Sequence, residues 1–516
     1  MKRSLSILLA STLLLTAVLF TGTFAFAEAP IVSARDTLVV GVAQEAVSFS
    51  PTATAGEGTA RIKRQIMEGL FEINDAGEYV PLLAESWDWE NDTTVLFHLR
   101  QGVTFSDGVP FIAQDVIDSI LLNKTDAPGS LIDQYVDIDK TEILDDHTIR
   151  LVMTEPTPLL FDKFESQHFG VFHKATYDAD SQHFMYTPIG TGPYKMESWK
   201  TGDSITLVRN ETYWGTPAYC EKVIFRLIPE SAQRTIELET GGIDINLDMS
   251  YDDLEYFSDE NNFKTGEYAM STVNAVFFNM SDIRKSPVQN PLVRQAIAYA
   301  IDSEAIAKHV YKVGAAANSN LSPFYAAHYD SSLTEDDVLY RQDYDKAKAL
   351  LAQAGADNGM KLVMLLDEDP NNKAIAEIVQ NQLSKINIEL EIVTRSSTTW
   401  YATVLAKDEY DLVMFVLYDN SPVYSWMHFL DDGSMNMPDY TTWRNEKFEN
   451  GLKELVRTTN IERQRELLRE MDGYITEDLP VYSLHYITNV VTMRSEIAGF
   501  EYRLGMTNVN QIYFTK

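Results

Sequence analysis

Strand-like and helix-like hydrophobic patterns alternate along this chain as far as Tyr482, and that alternation predicts a mixed α/β fold. Thr37 to Val42 is a short β-branched, apolar run that suits a buried strand. Trp87 to Trp89 and Val95 to Leu99 alternate around the polar Asn91-Asp92 pair, as a hairpin does. Ser106-Asp107-Gly108 then marks a turn before a helix over Asp115 to Leu122. Leu362 to Leu366 and Ile388 to Val393 read as strands around a helix from Ala374 to Lys385, and Leu412 to Leu417 as a further buried strand. No fixed-period repeat or low-complexity tract is visible.

Asn290 to Tyr311 carries the most specific pattern. Asn290 suits a helix cap and Pro291 the first helical position, and Val293, Ala296, Ile297, Ala300 and Ile301 follow at helical spacing. The string NPLVRQAIAYAIDSEAIAKHVY resembles the signature helix of the family 5 extracytoplasmic solute-binding proteins, the peptide- and nickel-binding components of ABC importers. Three further islands resemble the same family in the same order. They are residues 66–118, Gly190 to Tyr194 with the following SWKTGDSITLVRNETYWG, and YDKAKALLAQAG from Tyr344 to Gly355. In the last, Ala347, Leu350, Leu351 and Ala354 share a helix face and Gly355 stops it. Where relatives cap the helix after Asp107-Gly108 with a hydroxyl residue, this chain has Ile112, which is expected to cost local stability.

The resemblance implies a two-lobe, hinged fold of the periplasmic-binding-protein type with an extra inserted domain. Lobe I would comprise residues 36–53, 188–272 and 483–516, the insert 54–187 and lobe II 273–482. Two lobes joined by two crossings close around a solute. Gly190, Gly192 and Pro193 are hinge candidates, since glycine widens and proline narrows the backbone's choices; an ordinary tight turn is the other reading.

The composition, 45% hydrophobic and 11% aromatic in 516 residues, is that of packed domains. Lys2 and Arg3, an apolar run from Leu5 to Phe20 and Ala25-Phe26-Ala27 read as a secretory signal over residues 1–27. An uncleaved anchor is the alternative, and Ser11, Thr12 and Thr16 in the apolar run count against it. No later segment is apolar for long enough to span a membrane. The lone Cys220 lies far from the cleavage site, so neither an intrachain disulfide nor anchoring through a lipidated cysteine is expected. The expected address is the periplasm or the extracytoplasmic face. Removing Lys2 and Arg3 takes the formal charge from −34 to −36, which repels nucleic acid and anionic lipid. The acidic stretch LDMSYDDLEYFSDE lacks the glycine and terminal glutamate of an EF-hand loop, and reads as a solvated face.

The chain contains no H-E-x-x-H, G-x-S-x-G or G-x-x-x-x-G-K-[ST] motif. Cys220 has no activating context, and Asp145-Asp146 and Asp431-Asp432 read as solvated pairs. His168, His173 and His183 match no metal-ligand spacing, so no metal and no cofactor is expected.

Asp419 follows the Leu412–Leu417 run and leads into Asn420-Ser421-Pro422, a strand end of the kind that faces ligand clefts. In peptide-binding relatives an aspartate here, shortly before a proline, binds the ligand's α-amino group, and a buried ammonium needs such a countercharge. Capping of the loop is the other reading. Relatives often have a tryptophan where this chain has Val416, and their loop is about one residue longer, which bears on ligand size. Tyr418, Tyr424, Trp426, Phe429, Tyr440 and Trp443 lie nearby and suit either peptide side chains or sugar rings, with some belonging to the core. Asn274, in the strand STVNAVFFN, is a second cleft candidate whose amide suits a peptide backbone.

The resulting expectation is a non-catalytic, monomeric receptor that captures a small peptide and delivers it to ABC permease subunits, with the ATPase subunits engaged indirectly. Oligosaccharide binding is the first rival within the family, and nickel or haem a weaker one. An exported hydrolase and a surface scaffold or chaperone are rivals from other classes.

Overall fold

The computed structural model describes residues 32–52, 56–74, 78–127, 130–157, 159–166, 168–325, 329, 332–334, 337–417, 426, 429, 440–458, 460–503 and 506–515. The unit that begins at Ser33 is built on a ten-stranded mixed sheet. Its strands are β1 (Thr37–Val42), β6 (Tyr194–Lys200), β7 (Ser204–Arg209), β8 (Lys222–Leu227), β9 (Ile245–Asn246), β10 (Phe263–Phe278), β11 (Met360–Leu366), β12 (Ile388–Thr394), β13 (Leu412–Leu417) and β14 (Val481–Arg494). In space they run β12-β11-β13-β10-β14-β9-β1-β8-β7-β6. A separate antiparallel sheet, β2-β3-β5-β4, is made by β2 (Ala84–Asn91), β3 (Thr94–Leu99), β4 (Glu142–Asp145) and β5 (Thr148–Val152). The expected hairpin is here, with Trp87 opposite Phe97 and Trp89 opposite Val95.

Two long strands join the halves of the large sheet. The C-terminal part of β10, Val273 to Phe278, pairs with β13, while the end of β14 pairs with β9 through Thr492 and Met493. Between Ala269 and Val273 the pairing of β10 with β14 slips, so that Met270, Ser271 and Thr272 face Ile487 alone. One pair further on, Leu484 is the extra residue on β14, between the partners Asn274–His485 and Ala275–Ser483. Such bulges bend a strand pair and leave backbone groups to be satisfied elsewhere. Ser322 Oγ supplies one partner, donating to the Met270 carbonyl at 2.7 Å.

Apolar packing follows the same division. Val276, Phe278 and Met414 pack under α2 (Pro291–Ala300), α3 (Tyr344–Gln353) and α4 (Pro370–Ser384). The other face of these strands, with Val273, Ala275, Phe277 and Val413, packs on α5 (Ser397–Ala406), α6 (Glu446–Leu455) and α7 (Ile461–Asp478). A second core gathers Leu38, Val40, Phe49, Tyr194, Phe225 and Phe514, and a third gathers Leu70, Phe97, Phe105 and Phe164 around the small sheet.

Local chemistry explains where the elements begin and stop. Asn290 Oδ1 accepts from Leu292 N at 3.0 Å and Pro291 follows, as expected of a helix start. The helix ends at Ala300, because Asp302 competes as the cap of a second turn, accepting from Ala305 N at 2.8 Å. The buried Arg294 ties this helix to the end of α7 and to the turn before it. It donates to the carbonyls of Leu479 (2.9 Å), Val288 (2.8 Å) and Gln289 (3.0 Å). Ile112 offers no side-chain acceptor to α1 (Ala113–Asp126), but the Asp115 carboxylate accepts from the Ile112 N–H at 2.8 Å and keeps half of a capping box. Among the described residues no helix is long and apolar enough to cross a membrane.

Candidate functional site

The strands β11, β12 and β13 are parallel, so their carboxyl ends, Leu366, Thr394 and Leu417, share one edge of the sheet. In α/β sheets that edge is where ligands gather. Beside it lie the two bulged strands, which bring Val416, Asn274 and His485 into one row across β13, β10 and β14.

Asn274 is 3% exposed. Its Nδ2 donates to Asn372 Oδ1 at 3.2 Å, and Asn372 Nδ2 donates in turn to Asp367 Oδ1 at 2.9 Å. A carboxylate only accepts, so Asp367 fixes the orientation of Asn372, and Asn372 fixes that of Asn274. Asn274 Oδ1 is left buried with no hydrogen-bond partner. Asp369 caps α4, accepting from Asn371 N at 2.7 Å.

His485 is fully buried and stacks on Tyr311, ring centroids 4.2 Å apart and planes 1° apart. Its Nε2 lies 3.1 Å from the Val313 carbonyl, which can only accept, so Nε2 carries the proton. Burial pushes the imidazole down to about 4, and it is neutral near pH 7. Nδ1 is then a lone-pair acceptor, and it too is buried without a partner.

Tyr251 touches both β14 and Tyr311. Tyr251 OH donates to the Thr488 carbonyl at 2.7 Å, and its ring meets Tyr311 edge-on at 5.6 Å. Burial, then the charge of Asp369, pushes the Tyr251 hydroxyl up to about 12. Lys312 pairs with Asp252 at 2.8 Å.

Of the residues singled out from sequence, Asn274 and Val416 are brought side by side. Asp419, Tyr418 and Tyr424 lie outside the described residues. Trp426 is 0% exposed and belongs with Phe429, Tyr440 and Trp443 to the aromatic core over α6. Gly190, Gly192 and Pro193 sit away from the β10–β14 crossing, against Gln65 to Glu68. Gly192 N donates to the Ile66 carbonyl and Tyr194 N to the Gln65 carbonyl, both at 2.9 Å. The glycines are needed for close approach, since a Cβ on Gly192 would stand 2.6 Å from the Gln65 carbonyl oxygen. Thr191 Oγ1 (2.7 Å), Tyr213 OH (2.8 Å) and Trp214 Nε1 (2.9 Å) all donate to the buried Glu68 carboxylate.

His485, Asn372 and Glu68 were missed as candidates. The only signals were a lone histidine inside the apolar run VYSLHYITNVV, an asparagine after an Asp-Pro helix start and an acid between Met67 and Gly69. Of the three histidines weighed for metal, His173 bonds Asp107 at 2.8 Å. Among the described residues no group of three or more candidate metal ligands forms.

Comparison with known proteins points one way. The family model described as bacterial extracellular solute-binding proteins, family 5 Middle, matches residues 78–436. The dipeptide-binding protein of Escherichia coli K12 is 23% identical over 454 residues, covering 82% of this chain and 84% of the relative. The heme-binding protein A of Haemophilus influenzae is 26% identical over 507 residues, covering 91% and 90%. Among solved structures, the periplasmic binding protein DppA of Helicobacter pylori in complex with the peptide STSA superposes with a TM-score of 0.74. It is 24% identical and covers 93% of this chain and 98% of that one.

Proposed function

The chain belongs to the bacterial extracellular solute-binding proteins of family 5, and from that premise we propose that it captures short peptides between two lobes and delivers them to the permease of an ABC importer. The observation that carries this reading is the edge formed by Leu366, Leu417 and Asn274, where buried acceptors stand unpaired beside the crossing of two bulged strands. A buried polar group without a partner costs about 1–3 kcal/mol, which a bound solute can offset.

The lobes are read as residues 36–53, 188–272 and 483–516 for the first and 273–482 for the second, with 54–187 inserted; the separate apolar cores support this division. Flexing is read at Met270–Thr272 and Ile487, where pairing slips, with Gly190, Gly192 and Pro193, packed against Gln65–Glu68, kept as the second hinge candidate. Asp419, just beyond the end of β13, would meet the peptide's α-amino group, with Tyr418 beside it. The protein acts as a monomer without catalysis, exported by residues 1–27 and not held through Cys220, which is buried.

Mass spectrometry of small molecules released by denaturing protein purified gently from its host tests the reading. Peptide masses with free amino termini are expected. Hexose-spaced masses, or a porphyrin as the name of the Haemophilus influenzae relative would have it, would replace it.

A further inference from the structure

A pocket of about 500 Å³ lies between α7 and residues 318–321 and 339–340. α7 leads into β14 at Val481, which stands opposite Phe277 on β10, next to Phe278, the partner of Leu412. The last turn of α7 is therefore at the edge of the sheet where β13 begins, the edge opposite Leu366 and Leu417. The volume is within the range that small-molecule sites occupy.

The walls of this pocket are fixed by bonds that need no ligand. The Asp472 carboxylate accepts from Ser319 Oγ at 2.9 Å, from Asn320 N at 3.0 Å and from Asn320 Nδ2 at 2.8 Å. Tyr340 OH donates to the Thr476 carbonyl at 2.7 Å. Leu321, Leu339 and Leu468 supply apolar surface between these anchors. Arg465 and Arg469, a turn apart on α7, line the same pocket, and Arg465 Nη1 also donates to Glu462 Oε1 at 2.7 Å.

Gly473, on the lining, stands inside α7, where glycine is the poorest helix former after proline. Packing explains Gly451 of α6, because an added Cβ there would stand 3.1 Å from Met471 Sδ. At Gly473 no described residue comes within 4 Å of an added Cβ, its chain neighbours and α7's own backbone apart. A bare helix backbone beside an open pocket lets a ligand come close to it.

We propose that this pocket is a second ligand site, separate from the cleft, which takes an amphiphilic monocarboxylate. Its apolar chain lies over Gly473 and against the leucines, and its carboxylate meets Arg465 and Arg469. Planar guanidiniums match a carboxylate, and burial of the chain supplies affinity in proportion to its apolar area. Of the acids on the lining, Asp472 is bonded inward and Glu477 lies a turn beyond Gly473, which sets the negative end of the ligand at the arginines. A chain of charge −34 attracts cations overall, so a preference for the anion is a property of the pocket alone.

The test titrates octanoate into the full chain by calorimetry, with octylammonium as the charge-reversed probe and butyrate as the short-chain probe. Octanoate should bind saturably, about tenfold tighter than either. Gly473→Leu fills the pocket with a better helix former, so octanoate affinity should fall about tenfold while the melting temperature stays at or above that of the parent. Arg465→Gln with Arg469→Gln, on the outer side of α7, should erase the preference for octanoate over octylammonium. Retention of an unmodified combinatorial tripeptide library by either immobilised variant should match the parent. Equal binding of octanoate and octylammonium by the parent overturns the site, as does octanoate binding that the arginine variant leaves intact or that tripeptides displace. Each of these failures leaves peptide capture in the cleft standing.

Discussion

Asn274 and Val416 stand directly opposite one another on β10 and β13, 142 positions apart in the chain. Val416 is thus a small side chain next to a buried acceptor without a partner, Asn274 Oδ1. Val416→Trp should therefore exclude larger peptides, and a shift of the retained library toward shorter or smaller members checks it.

Asp419→Ala should weaken peptides with a free amino group far more than their N-acetylated counterparts, by about 2–5 kcal/mol, the cost of losing a charged hydrogen bond from a closed site. Calorimetric titration of both forms into parent and variant measures this. Equal affinity of the parent for both forms removes the amine anchor.

Glu68 makes stability depend on pH. Burial raises its carboxyl from the ordinary 4.5 to about 7, against the three donors that favour the anion. The folded state then holds the proton more tightly than the unfolded one. Its contribution is fully present below pH 4.5, falls as pH rises through 7, and is flat beyond. Urea unfolding should show a loss of up to about 3 kcal/mol from this group between pH 4.5 and 8. Glu68→Gln should flatten that slope, and an unchanged slope contradicts the assignment.

Arg294 anchors α2 to the end of α7 and to the turn before it. Burial lowers its guanidinium to about 10, and it remains charged while donating to carbonyls on both sides of α2. Arg294→Met should destabilise by about 3 kcal/mol, because it orphans several buried carbonyls at once. Solute affinity of the folded fraction should stay at the parent level.

Tyr251→Leu removes the ring that meets Tyr311 edge-on at 5.6 Å, a contact between the segments read as the first and second lobes. With closure on solute made there, affinity should fall severalfold, about 1 kcal/mol, as titration of parent and variant will measure.

Much of this fold is legible in the residues because it rests on local chemistry. Apolar runs mark β1 and β13 to the residue, and Asn290-Pro291 and Gly355 mark helix ends. The same locality explains the misreading at Ile301, where the hydrophobic spacing continues although Asp302 has already capped a new turn. The site is far less legible. His485 becomes a partner of Asn274 only through pairing across 211 positions and through the one extra residue Leu484. No periodicity records that register. The direction of the Asn274 amide depends on a third segment, Asp367 to Asn372. Gly190-Thr191-Gly192-Pro193 fits both a hinge and a close approach to Ile66 and Gln65, because glycine placed for either looks alike in a sequence.

The central claim, capture of peptide without chemistry, is tested most directly by calorimetric titration of the full chain with the unmodified tripeptide library, followed by mass spectrometry of the recovered peptides. Saturable binding of one peptide per chain with every bound peptide recovered intact is the predicted result. Cleaved peptides, or no saturable binding, would contradict the account.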